Sequence, residues 1–135
     1  MNVLFVCIQN AGRSQIAEAL FARQAAGRHD ARSAGSRPAS RVHTEVADVM
    51  RELGVELGDR TPRRLERSDA DWADVVVTMG CGDACPYVPG TQYVDWALED
   101  PAGGPIERVR EIRDEIERRV SRLVHALDAE RGSVA

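Results

Sequence analysis

Four segments of the chain predict β-strands, two of them from continuous apolar runs. Residues 3–6 and 75–79 are almost entirely apolar and rich in valine, which is typical of strands buried on both faces of a sheet. The segments Asp30–Gly35 and Gln92–Asp95 are shorter and more polar, and we expect a strand in each.

Between these segments the apolar residues recur at helical spacings. Helices are predicted from Ser14, with Gly27 as a stop, over residues 42–53, with Gly54 as a cap, from Ser68, and over residues 106–129. The alternation of strands and helices predicts a three-layer α/β fold, with a central parallel four-stranded sheet flanked by helices. In such sheets ligands bind beyond the carboxyl ends of the strands.

Length and composition narrow the possible functions. A chain of 135 residues fits a single catalytic domain, residues 1–135. With a net charge of −4 there is no reason to expect a nucleic-acid partner. No apolar run is long enough for a membrane span and no signal peptide precedes the first strand, so we expect no membrane partner and a cytoplasmic location. Three cysteines in a reducing compartment favour catalysis, redox work or metal binding over a structural disulfide.

The first strand ends at Cys7, and a short polar loop leads from it into the first helix. Successive backbone amides in such a loop form a concave anion site, to which a helix N-terminus adds further donors. Arg13 adds a planar fork of donors suited to a tetrahedral oxyanion. The same positive field stabilises a cysteine thiolate, to which Ser14 can donate a hydrogen bond. The predicted substrate-binding residues are Ile8, Gln9, Asn10, Ala11, Gly12, Arg13 and Ser14.

The alternative for this stretch is a buried, inert Cys7 and a surface Arg13. The coincidence of strand, Cys-x5-Arg-Ser spacing and helix argues against it. Asn10 tolerates left-handed backbone angles, and Gly12 allows close approach of the backbone. The loop resembles the phosphate-binding loop of the low-molecular-weight protein tyrosine phosphatase fold, which phosphatases share with thioredoxin-coupled arsenate reductases.

A second cysteine-bearing stretch follows the buried strand at residues 75–79. Cys81 and Cys85 stand there among glycines and prolines, and we expect Cys81 to emerge at the same sheet edge as Cys7. A structural zinc site would need a second close pair of ligands, but the three histidines are scattered, so we predict no metal site. Two cysteines separated by three residues can also form a disulfide or exchange with Cys7.

Residues 79–86 together with Cys7–Ser14 resemble the motifs of the thioredoxin-coupled arsenate reductases. The similarity to that family extends over nearly the whole chain. That resemblance implies arsenate as substrate and a disulfide relay from Cys7 through Cys81 to Cys85. It also implies thioredoxin as a transient partner and no cofactor. Asp100, before Pro101, resembles the aspartate that serves as general acid in that family. The predicted catalytic residues are Cys7, Arg13, Asp100, Cys81 and Cys85.

Two alternatives to that assignment stay open on the sequence. One is a low-molecular-weight protein tyrosine phosphatase, although residues 102–104 lack the aromatic residue that follows the acid in phosphatases. The other is coupling to a low-molecular-weight thiol instead of thioredoxin.

The resemblance also raises the question of a potassium ion near the anion loop. Some members bind it at positions that match Asn10, Glu18, Ser33 and Thr61. Arg63 stands where those members have an acid, so no cation is predicted here. Many relatives also carry a further cysteine where this chain has Gly12.

Overall fold

A computed structural model describes residues 1–80 and 88–134, with side chains as far as residue 130. The strands are β1 (Asn2–Cys7), β2 (Asp30–Gly35), β3 (Val75–Thr78) and β4 (Gln92–Asp95). The helices are α1 (Arg13–Ala25), α2 (Thr44–Arg51), α3 (Arg67–Trp72) and α4 (Ile106–Val134).

The four strands form one parallel sheet in the order β2-β1-β3-β4. Alternate residues of β1 point to opposite faces, and both faces are buried, which explains the continuous apolar run in the sequence. Val3 and Phe5 pack into the large core with apolar residues of α1, α2 and α4, whereas Leu4 and Val6 pack into a smaller core with Ala73 just after α3. The predicted three-layer α/β fold is therefore confirmed.

Helix α2 is shorter than the predicted span of residues 42–53. His43 has extended backbone angles and occupies the N-cap position, so the helix begins at Thr44. At the other end the amides of Leu53 and Gly54 bond to carbonyls three residues back, and the chain leaves through Gly54 at φ +77°. The chain thus stops being α-helical at Arg51, and the local turn before the glycine accounts for the difference.

The long helix α4 begins at Ile106 as predicted but ends at Val134, five residues beyond the predicted end. Its apolar side packs against α1 and α2. Within the described parts of the chain, no helix combines the length and the apolar character needed to cross a membrane.

Candidate active site

The loop between β1 and α1 is held from outside by the backbone of residues 36–43. The carbonyls of Cys7, Ile8, Gln9 and Ala11 accept hydrogen bonds of 2.7–3.3 Å from amides of that segment: those of Ser36, Arg37, Ala39 and His43. Because a trans peptide points its C=O and the following N–H in opposite directions, these bonds turn the next amides toward the inside of the loop. By this argument the amides of residues 8, 9, 10 and 12 face inward, where the sequence predicts an anion site.

Asn10 stabilises this loop from beneath. Its backbone is left-handed, at φ 50°, and its side chain is completely buried. The Oδ1 atom accepts hydrogen bonds from the backbone amide of Arg63 (2.8 Å) and from Nε2 of Gln15 (3.1 Å). Since a backbone amide can only donate, the atom facing Arg63 must be the oxygen, and Nδ2 is therefore left to donate to Ser14 Oγ at 2.7 Å.

The Cys7 thiol lies at the end of β1 and is 2% exposed. Its Sγ is 2.9 Å from Ser14 Oγ. Ser14 Oγ also accepts a hydrogen bond from Asn10 Nδ2 at 2.7 Å, and once Cys7 is a thiolate the serine hydroxyl is the only one of the two groups that can donate. A donor aimed at sulfur favours the thiolate, which is the nucleophilic form of cysteine.

The guanidinium of Arg13 is held at the carboxyl edge of the sheet by two neighbouring segments. Its Nη1 donates to the Leu98 carbonyl at 3.1 Å, and its side chain is 7% exposed. On another side lies Gly80, where an added Cβ would stand 2.9 Å from Nη1. Arg13 therefore has little freedom to change its orientation.

The loop that carries Asp100 packs against the anion loop. Pro101 is buried, and a Cβ on Gly12 would lie 3.3 Å from Pro101 Cγ. The Asp100 carboxylate is half exposed, accepts a hydrogen bond from the amide of Ala102 at 3.0 Å, and lies 3.8 Å from Arg13 Nη2. A carboxyl group that is open to water and beside an anion site is placed to exchange protons with a bound ligand.

Two further contacts tie the Asp100 loop to the body of the protein. Trp96 is buried and packs against Phe5 of β1, with ring centroids 5.9 Å apart. Arg108 of α4 donates to Glu99 at 2.8 Å, and this hydrogen bond lowers the pKa of the Glu99 carboxyl. The packing of Trp96 is the buried contact of the two, whereas the Arg108–Glu99 pair is exposed.

The structure thus brings together Cys7, Arg13, Asp100 and the predicted loop residues 8–14. The other two predicted catalytic residues, Cys81 and Cys85, lie outside the described residues. Met79, which precedes them, donates its amide to the Val6 carbonyl at 2.7 Å, so β3 ends beside β1.

The sequence did not point to several residues that support the site. Gln15, Arg63, Gly80 and the Leu98 carbonyl all contact a residue of the anion loop, but three of them come from distant parts of the chain. His43 also contacts the anion loop. It is the N-cap of α2, and its Nε2 also lies 3.0 Å from Gln9 Oε1 at the rim of the loop.

Asn10, Glu18 and Ser33, which the resemblance links to potassium, already form hydrogen bonds with other groups of the protein. Glu18 accepts hydrogen bonds from Ser33 Oγ on one oxygen and from Arg60 Nη1, at 3.0 Å, on the other. Thr61 is exposed, and the Arg63 guanidinium donates to the Ser33 carbonyl and to Asp69, both at 2.8 Å. Within the described residues, no group of three or more His, Cys, Asp or Glu side chains is arranged to hold a metal ion.

Residues 2–133 match the low molecular weight phosphotyrosine protein phosphatase family. The chain belongs to this family. Among its relatives is a Halobacterium salinarum protein provisionally named an arsenate reductase, 45% identical over 86% of this chain and 85% of its own length. The glutaredoxin arsenate reductase of Synechocystis is 37% identical over 91% of this chain and 95% of its own length.

A solved structure also relates the chain to arsenate reductases. The thioredoxin-dependent arsenate reductase of Corynebacterium glutamicum superposes with a TM-score of 0.82 at 41% identity. The match covers 96% of this chain but 62% of the length of that protein. The predicted kinship with arsenate reductases of the phosphatase-like fold is therefore confirmed.

Proposed function

We propose that this protein is an arsenate reductase that uses Cys7 as its nucleophile. The observation that supports the proposal is the Cys7 thiol at the end of β1, 2.9 Å from Ser14 Oγ, in a loop whose carbonyls bond outward to the backbone of residues 36–43. The named arsenate reductases among the relatives support arsenate as the oxyanion.

In the first step arsenate occupies the anion loop, with two of its oxygens on the Arg13 guanidinium. The Cys7 thiolate attacks arsenic, and one arsenate oxygen leaves as water after Asp100 supplies a proton. The product is a covalent thiol–arsenate adduct in which arsenic is still pentavalent.

In the second step a further thiol attacks the Cys7 sulfur. The S–As bond breaks and its electron pair stays on arsenic, so arsenate becomes arsenite while two thiols become one disulfide. Cys81 is the attacking thiol in this proposal, and Cys85 then exchanges with the Cys7–Cys81 disulfide. The final Cys81–Cys85 disulfide is reduced by a dithiol protein such as thioredoxin, whose potential is about −270 mV.

Two electron donors compete in this proposal: thioredoxin, and a small thiol working with glutaredoxin. One relative is named for thioredoxin and another for glutaredoxin, so both coupling systems occur among similar chains. Three cysteines favour thioredoxin here, because a small-thiol system needs only Cys7 and would leave Cys81 and Cys85 without a use.

A second candidate function is hydrolysis of phosphotyrosine, which the family description favours. Phosphate and arsenate share shape and charge, so Cys7, Arg13 and Asp100 would serve either reaction. After Asp100 and Pro101, however, the chain continues with Ala102, Gly103 and Gly104, which offer no aromatic side chain to stack on a phenyl ring. We therefore expect only slow hydrolysis of aryl phosphates.

The test follows NADPH oxidation by purified enzyme and arsenate, first with thioredoxin and its reductase, then with glutathione, glutaredoxin and glutathione reductase. The proposal expects turnover with the thioredoxin system and none in a Cys81→Ser Cys85→Ser variant. Undiminished turnover of that variant with the small-thiol system would contradict the relay. Efficient hydrolysis of a phosphotyrosine peptide without any reductant would favour the phosphatase.

A further inference from the structure

The carboxylate of Glu18 lies beneath the anion loop, one helical turn after Ser14. Ser33, on β2, is 3% exposed and donates its hydroxyl to one oxygen of that carboxylate. Arg60 donates from Nη1 to the other oxygen at 3.0 Å, and the Glu18 side chain is 22% exposed. Both oxygens of a largely buried acid are thus engaged by the protein itself.

These residues do not fit a bound potassium ion. A hard cation takes oxygen ligands that are free to point at it. Asn10 Oδ1 instead faces two N–H donors, and the Ser33 carbonyl accepts from the Arg63 guanidinium at 2.8 Å. The positive charge of Arg60 also contacts Glu18 directly, and it would repel a second cation at the same carboxylate.

We propose that the Arg60 guanidinium takes the place of a monovalent cation at Glu18, so that the anion loop keeps its geometry without potassium. Arg60 is then a positioning residue, since it touches neither the thiol nor the proposed place of the oxyanion.

The contacts that link Glu18 to the thiol run through the strand next to β1. The Ser33 hydroxyl donates a hydrogen bond to Glu18, and the Ser33 carbonyl accepts one from the Arg63 guanidinium. The amide of Arg63 then fixes Asn10, which donates to the hydroxyl of Ser14 beside Cys7. An uncompensated charge on Glu18 would disturb Ser33 first, and through it the residues that orient the donor to sulfur.

This inference concerns the same site as the proposed function, but it can be tested without arsenate. The readouts are the melting temperature and the rate at which iodoacetamide alkylates Cys7. A Cys81→Ser Cys85→Ser background leaves Cys7 as the sole thiol, and trypsin releases it in the peptide 1–13 for quantification by mass spectrometry. Failure of arsenate turnover would therefore leave these measurements interpretable.

For the protein with Arg60 intact, both readouts should be the same in potassium, sodium and choline chloride at equal ionic strength. In the Arg60→Met variant, choline chloride should give several-fold slower alkylation and a melting temperature lower by about 3–6 °C, and potassium should reverse both. Arg60→Lys keeps the charge and should show no potassium dependence.

The matched control is Arg51→Met. Arg51 pairs with Glu56 at 2.9 Å on the surface, so the variant loses the same charge away from the anion loop. It should respond equally to all three salts. A potassium-specific response of the protein with Arg60 intact, or none in Arg60→Met, would overturn the proposal. If Arg60→Met does not fold in any salt, Arg60→Lys and the unsubstituted protein decide the question.

Discussion

Gly80 stands directly against the guanidinium of Arg13. A Cβ at this position would lie 2.9 Å from Arg13 Nη1, and Cβ atoms in proteins essentially never approach another atom that closely. The backbone of Gly80 also has a φ of +89°, a conformation that favours glycine. Two independent constraints, one conformational and one from contact with the arginine, thus act on Gly80, two residues after the end of β3.

The Gly80→Ala variant should bind arsenate several-fold more weakly, because the new methyl group displaces the Arg13 guanidinium. Gly90→Ala is the matched control. Gly90 has a φ of +90°, but a Cβ there would meet nothing within 4 Å. Both variants should lose stability from backbone strain, and only Gly80→Ala should raise KM for arsenate. Equal KM values in the two variants would show that the contact with Arg13 has no functional effect.

The Arg13–Gly80 contact also illustrates what the sequence could not reveal. The run of apolar residues at 3–6 predicts β1 because the pattern is local, and Cys7 follows it in the chain. Gly80 looked like an ordinary loop glycine. Its role depends on a side chain 67 positions earlier, and only the folded sheet brings β1 and β3 side by side.

The same reasoning applies to the ion pair between Glu18 and Arg60. Glu18 and Arg60 are 42 positions apart, and nothing in either local sequence indicates that they pair. The resemblance drew attention to Glu18 only as a position where some relatives bind potassium. It could not show that an arginine from a loop without regular structure would occupy it.

Replacement of Ser14 by alanine should slow alkylation of Cys7 without abolishing it. The substitution removes the hydroxyl that lies 2.9 Å from the sulfur, and it leaves Nδ2 of buried Asn10 without this partner. A buried polar group left unpaired costs about 1–3 kcal/mol, which urea denaturation would detect as a lower midpoint. An unchanged alkylation rate across pH, together with the lower midpoint, would mean that Ser14 is structural only.

Arg13→Lys should weaken arsenate reduction nearly as much as Arg13→Ala. Lysine retains the charge, but its donors all lie on one nitrogen. It therefore cannot present two parallel donors to the anion while a separate N–H group bonds the Leu98 carbonyl, as the guanidinium can. Steady-state KM and kcat of the three proteins measure this. Full activity of Arg13→Lys would show that charge alone suffices.

Acid should weaken the attachment of α4 to the rest of the protein through Asp128. Hydrogen bonds from Arg28 and then from His29 lower the pKa of Asp128 to about 2. A folded-state pKa below the usual value means that this contribution to stability is present above the unfolded pKa and is lost as pH falls through the folded one. We expect Asp128→Asn to be less stable than the unsubstituted protein at neutral pH.

The difference between these two proteins should shrink between about pH 4 and pH 2, where Asp128 becomes protonated. Urea denaturation at a series of pH values measures it. Asp71→Asn is the control, since Asp71 forms an exposed pair with Arg67 that contributes little to stability. A difference between Asp128→Asn and the unsubstituted protein that does not change with pH would contradict the assignment.

The relay makes the most direct prediction about chemistry. In the Cys85→Ser variant, Cys7 can still attack arsenate and Cys81 can still release arsenite, but no thiol remains to resolve the resulting disulfide. Each enzyme molecule should therefore release one arsenite and stop, and non-reducing peptide mapping should recover residues 1–13 joined to the peptide that contains Cys81. Cys81→Ser should stop earlier, before arsenite appears. Sustained turnover by Cys85→Ser with thioredoxin would show that the Cys7–Cys81 disulfide is itself accessible to the reductant, and that the third cysteine is dispensable.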